Sequence, residues 1–213
     1  MIDTRAGARP GWAWAGLAAA LALVALAGWP LPHEALDWQP ALARTEPWRA
    51  LSAVGVHYSA MHLLANLAGV LAVGVLGVAA RAPAASVWAW AAAWPLTQFG
   101  LLVEPALLHY GGLSGVLHAG VAVIALQLLL PAARTTPVRQ WIGAALLVGL
   151  CLKIAREAPW GPPLRHPAGW DIAVAPLAHA SGFAAGAACA IVVQLIGRVR
   201  RSAPPASSSG PFT

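Results

Sequence analysis

Apolar residues in this chain come in runs of about the length a helix needs to cross a bilayer, and that spacing constrains the fold more than any other feature. Six runs stand out, at 11–30, 57–80, 84–104, 113–133, 138–157 and 173–197. A spanning helix needs about 20 apolar residues. Short joints marked by Pro or Arg, such as Arg81-Ala82-Pro83 and Pro131 to Pro137, separate several of them. Each run is too long for a soluble strand, so the expected class is an all-α membrane protein, a bundle of six transmembrane helices.

Composition supports lipid as the solvent. Charged residues make up 9% of the chain and hydrophobic ones 59%, against about 25% charged in an ordinary soluble domain. Too few polar groups are present to cover a soluble surface. Eleven Trp outnumber three Phe and two Tyr, and indoles settle at the headgroup level. Trp12, Trp29, Trp88, Trp141, Trp160 and Trp170 lie at or near the ends of apolar runs, whereas Trp90 and Trp94 read as core. Cys151 and Cys189 fall within apolar runs, far apart, and read as small buried hydrophobes.

The net charge of +6 does not point to nucleic acid, because the arginines flank apolar runs instead of forming one soluble patch. With the N-terminus inside, inner flanks hold Arg5, Arg9, Arg81, Arg134, Arg139, Arg198, Arg200 and Arg201, and outer flanks hold Arg44, Arg49, Lys153, Arg156 and Arg165. That bias puts both termini in the cytoplasm. The first run follows Arg5 and Arg9 without a small-x-small cleavage site, so it reads as a retained span. The expected map is a cytoplasmic segment 1–10, a membrane domain 11–197 with a first outer loop at 31–56, and a disordered basic tail 198–213.

Three polar islands interrupt the apolar runs: His57 to Asn66, Gly112-Leu113-Ser114-Gly115, and Ala178-His179-Ala180-Ser181-Gly182 with Gly186 one turn on. Polar groups are costly to bury in lipid, so such clusters mark function. The second, fourth and sixth runs all enter the membrane from outside, which places His62, Asn66, Ser114 and His179 at similar shallow depth, with His179 about two turns into its helix.

The chemistry allowed is acyl transfer. Ser114, at a helix start among glycines, has free backbone N–H groups beside it. His179 would be the general base, and Gly182 and Gly186 would let its helix press against that of Ser114. His62 and Asn66, at i and i+4, share a face and carry donors suited to an oxyanion. No carboxylate lies within the fourth or sixth run, so a Ser–His dyad is expected in place of a triad. His118, one turn below Ser114, reads as a buried hydrogen-bonding group that could compete as base. Rival readings are a metal site, disfavoured because no His-Glu-x-x-His exists here; a proton-relaying transporter, unsupported by any internal repeat; and a binding-only membrane protein. Neither a metal nor a cofactor is expected.

Four motifs in order resemble the rhomboid family of intramembrane serine proteases. Glu46-Pro47-Trp48-Arg49 resembles its first-loop Trp-Arg motif; His57, His62 and Asn66 fit its His-x4-His-x3-Asn helix; Gly112-Leu113-Ser114-Gly115 fits its nucleophile motif; and Ala178-His179 with Gly182 and Gly186 fits its sixth-helix motif. The resemblance implies Ser114 as nucleophile and His179 as base. His62, Asn66 and the Ser114 backbone N–H would line the oxyanion hole, and Trp48 and Arg49 would be structural. Within the family, the compact core and Gly-Leu-Ser-Gly-Val-Leu-His at 112–118 resemble the rhombosortases, which makes His118 a subfamily feature. That resemblance implies transmembrane-anchored protein substrates with a C-terminal Gly-Gly-type tail, in the inner membrane of a bacterium, and a site opening to the outer face.

Overall fold

The computed structural model describes residues 11–130 and 136–202. Six long helices occupy the six apolar runs: α1 (Trp12–Gly28), α4 (Ala60–Ala79), α5 (Ala84–Phe99), α6 (Ser114–Leu129), α7 (Pro137–Glu157) and α8 (Pro176–Ser202). Two short helices, α2 (His33–Leu36) and α3 (Arg49–Ser52), lie in the segment between α1 and α4. Among the described residues no strand forms, only the isolated bridges Trp38–Tyr110 and Arg165–Val174. By length and composition α4, α7 and the stretch Pro176–Val199 of α8 can cross a membrane, and α1 and α6 are shorter apolar helices. The chain is a helical membrane protein.

Helix α6 is the centre. It is buried nearly all round, as expected of a helix apolar on every face, and packs against α8, α5 and α7. Its contact with α8 is close because glycines line it. A methyl on Gly182 would run into the Gly115 carbonyl, and one on Gly186 into that of Ala119. On the far side Trp14 stacks on Trp90 at 4.3 Å, and each indole N–H donates to a backbone carbonyl, of Val73 and Val116. This satisfies both polar tips inside an apolar core.

The six tryptophans at the ends of the runs are all exposed, whereas Trp90 is fully buried and Trp94 partly so. The cysteines depart from expectation: Cys151 is exposed and Cys189 only half-buried. An apolar run in lipid has an apolar outer face too, so membership of such a run does not imply burial in the protein.

Helix starts also differ. The second run begins its helix at Ala60, not at 57, because the Ser59 hydroxyl caps it by accepting from the His62 N–H at 3.0 Å. The third turns into a 3-10 turn at Gly100–Val103. The sixth begins at Pro176, since Val174 is engaged with Arg165, so His179 sits in the first turn and not the second. Helix α8 continues to Ser202, into the stretch read as tail; residues 1–10 and 203–213 lie outside the described residues.

The segment 31–56 is an ordered cap on the end of the bundle that holds Ser114. Arg49 is buried. It donates from Nε to Glu46 at 2.6 Å and from Nη1 to the Glu34 and Asp37 carbonyls at 2.8 and 3.0 Å. Its guanidinium lies 5.0 Å from the Trp48 ring centroid, while Trp48 itself is exposed. The contacts of both residues are structural.

Candidate active site

Ser114 and His179 meet where α6 and α8 begin. The close glycine contact between these helices brings His179 Nε2 to 2.9 Å from Ser114 Oγ, across 65 residues of sequence. On the other ring edge, Nδ1 lies 2.6 Å from Glu157 Oε2, at the last residue of α7. A carboxylate can only accept, so this partner assigns the proton to Nδ1 and leaves the Nε2 lone pair facing the serine hydroxyl. Glu157 Oε1 in turn accepts from Lys153 at 2.5 Å.

Glu157 is the residue that sequence reasoning missed. The dyad expectation weighed the fourth and sixth runs and the helix-end carboxylates Asp171 and Glu104, and passed over Glu157. The helix order contained the signal, because α7 ends at Glu157, at the end of the bundle where α6 and α8 begin.

His62 and Asn66 line the same cavity as Ser114. Gly112 has φ +119°, in the left-handed half of conformational space that glycine tolerates. A methyl there would lie 2.7 Å from His62 Nε2 and 3.4 Å from Asn66 Nδ2, so both side chains close over the loop leading into Ser114. The Tyr58 N–H donates to His62 Nδ1 at 3.4 Å, which assigns the His62 proton to Nε2 and makes that atom a donor. Asn66 Nδ2 is buried and has no partner among the described residues. The first-turn N–H of Ser114 is a third donor that the helix leaves free. His62 and Asn66 line the cavity that also holds Ser114 and His179.

His57 is fully buried and precedes the helix. Its Nδ1 lies 3.4 Å from the Gly55 carbonyl, its ring packs at 4.8 Å from that of His62, and burial pushes it down to about 4. It is therefore a neutral brace behind His62. Burial likewise pushes the Tyr110 phenol up, keeping it protonated.

His118 donates from Nδ1 to the Ser114 carbonyl at 2.6 Å, and its ring stacks on His179 at 4.2 Å with an interplanar angle of 11°. It stacks against the base, and its Nδ1 is engaged by the Ser114 carbonyl and not by the hydroxyl. His118, Glu157 and His179 also form a group whose possible ligand atoms lie within 4.8 Å of one another. Imidazole lone pairs lie in the ring plane, and an ion in the plane of one stacked ring is out of the plane of the other. Both His179 nitrogens are already engaged, so the arrangement suits a hydrogen-bonded relay better than a metal ion.

A cavity of about 1030 Å³ opens on these groups, lined among others by His62, Asn66, Ser114, His118, Glu157 and His179. The loop from 158 to 175 borders it, held by Arg165 to the Glu157 carbonyl at 2.7 Å and by Ser59 to Asp171 at 2.7 Å. The arrangement offers a hydroxyl, a base that can take its proton, and donors for the charge that develops, which are the parts acyl transfer requires.

The sequence matches the family profile described as Rhomboid domain over residues 44–195. The chain belongs to the rhomboid family. Rhomboids are in general intramembrane serine proteases that act on substrates within the bilayer. The matched span takes in all of Ser114, His179, His62, Asn66 and Glu157. No curated protein matches this rhomboid chain.

Proposed function

We propose that this chain is an intramembrane serine endopeptidase in which Ser114 is the nucleophile and His179 the general base. The observation that carries the reading is the 2.9 Å contact of His179 Nε2 with Ser114 Oγ, in the tautomer that leaves Nε2 free to accept. Ser114 attacks the scissile carbonyl as its proton passes to His179. The resulting oxyanion receives hydrogen bonds from His62 Nε2–H, Asn66 Nδ2–H and the Ser114 N–H. His179 then protonates the leaving amine, and a water activated by the same imidazole releases the acyl group. A binding-only protein has no need of a hydroxyl and imidazole in this register.

In this reading the six long helices are six spans, both termini are cytoplasmic, and the cavity faces outward. Charge supports the orientation: Arg81 and Arg139 lie at the opposite end of the bundle from Lys153, Arg156 and Arg165. The Ala-, Arg- and Trp-rich usage fits a GC-rich bacterial source, and the rhombosortase resemblance implies the inner membrane.

The substrate class we propose is a membrane-anchored protein cleaved near a C-terminal Gly-Gly-type tail, as in rhombosortases. The stacked position of His118, which belongs to the 112–118 motif, supports this. A helical amide must unwind to be attacked, and glycine lowers helix stability by about 1 kcal/mol per residue relative to alanine. The test is labelling of detergent-solubilised protein with a fluorophosphonate probe. Wild type should label, and Ser114→Ala and His179→Ala should not. Equal labelling of Ser114→Ala and wild type would sink the scheme. Cleavage of a Gly-Gly-tailed reporter, set against one with alanines there, tests the substrate class.

A further inference from the structure

We propose that Glu157 is a positioning residue for His179, so that the working unit of this enzyme is a Ser114–His179–Glu157 relay braced by Lys153; this rests on the reading of Ser114 as the nucleophile. The carboxylate uses its two oxygens for two different partners, Oε1 for Lys153 at 2.5 Å and Oε2 for His179 Nδ1 at 2.6 Å. An i,i+4 pair that only supported the helix would need no contact beyond Lys153. Nor does helix stability explain the residue: a negative charge on the last residue of α7 faces the negative end of the helix dipole. Two neighbours offset that penalty, Lys153 and the His179 N–H. The Glu157 side chain is about a quarter exposed while that of His179 is 7% exposed, so the carboxylate lies between the water-facing mouth and the buried imidazole.

The consequence is specific. An imidazole can present either nitrogen as acceptor, and its ring can turn. Glu157 holds the Nδ1–H tautomer and the ring plane that aims the Nε2 lone pair at Ser114 Oγ. When the Ser114 oxygen bonds to the electrophile and its proton moves to Nε2, the imidazolium that forms faces a fixed carboxylate. Glu157 stays ionised throughout and takes no proton. His118, stacked on one face of the ring, limits tilting, so the base is fixed in plane by Glu157 and out of plane by His118.

The experiment is saturation kinetics of fluorophosphonate labelling on the full detergent-solubilised chain. In this reaction Ser114 Oγ bonds to phosphorus, fluoride leaves, and the hydroxyl proton goes to His179. Glu157→Gln keeps shape and volume but lets an amide donor face Nδ1, which favours the wrong tautomer; Glu157→Ala removes the partner. Loss of the orienting carboxylate in a serine hydrolase costs up to ~10⁴-fold, and a partly exposed carboxylate should cost at least about 10²-fold in kinact here. For Glu157→Gln, kinact should fall far more than the apparent probe affinity or the melting temperature, a split that a merely structural role would not produce. Lys153→Met should lower kinact less, in the same direction. Labelling of Glu157→Gln at the wild-type kinact would overturn the proposal, and if the alanine variant fails to fold the glutamine variant still decides. No labelling of wild type would overturn the nucleophile reading itself, and Glu157's role with it.

Discussion

The glycine contact between α6 and α8 sets the Ser114–His179 distance, so Gly182→Ala should lower the labelling rate by far more than its loss of stability accounts for. A methyl carbon on Gly182 would lie 2.6 Å from the Gly115 carbonyl carbon and nearer still to its oxygen. Carbon–carbon contacts settle at about 3.5–4.0 Å, so α8 must move off α6 by about 1 Å. His179 is one turn before Gly182 on the same helix, and a shift of that size takes its 2.9 Å contact with Ser114 beyond hydrogen-bond range. Misplacement by 1 Å costs about 10²-fold in rate, and overpacking of this kind costs about 1–3 kcal/mol of stability. The assay is the fluorophosphonate labelling rate beside a thermal melt of the same preparation. Gly149→Ala is the control, because a methyl there meets nothing within 4 Å. Labelling of Gly182→Ala at the wild-type rate with an unchanged melt would refute the claim that this contact holds the base in place.

Further expectations concern other parts of the site and its cap. Asn66→Ala should leave the fold intact and slow reporter cleavage by about 10²–10³-fold, the usual cost of one oxyanion donor; unchanged turnover would remove Asn66 from the oxyanion hole. Arg49→Ala removes the guanidinium 3.4 Å from the buried Asp37 carboxylate, leaving it only neutral or histidine partners, and frees two carbonyls, so its melting temperature should fall well below that of Trp48→Ala, whose ring is exposed. His57, pushed down to about 4, folds neutral, so acidification from pH 6.5 toward 4 should draw on the order of 3 kcal/mol from stability as the unfolded chain binds the proton first. His57→Asn, which cannot titrate there, should flatten that part of the melting curve against pH.

The spans and the motifs were open to reading from the chain alone because both are local. A run of apolar residues reports its own solvent, and His62 to Asn66 or Gly112 to Ser114 reports its own spacing. That His62, Asn66, Ser114 and His179 line one cavity also agrees with the helix order, since alternating helices carry their starts to one side. What only the tertiary structure decided depends on the facing of one helix to another. Helix starts moved to Ala60 and Pro176, where a serine cap and a loop contact competed with the apolar pattern. Cys151 turned outward because an apolar run has two faces and lipid accepts either. Glu157 reached His179 because α6, α7 and α8 close together over glycine faces, and only close packing across three helices sets the rotation of α7 that aims its last carboxylate at an imidazole 22 residues further on.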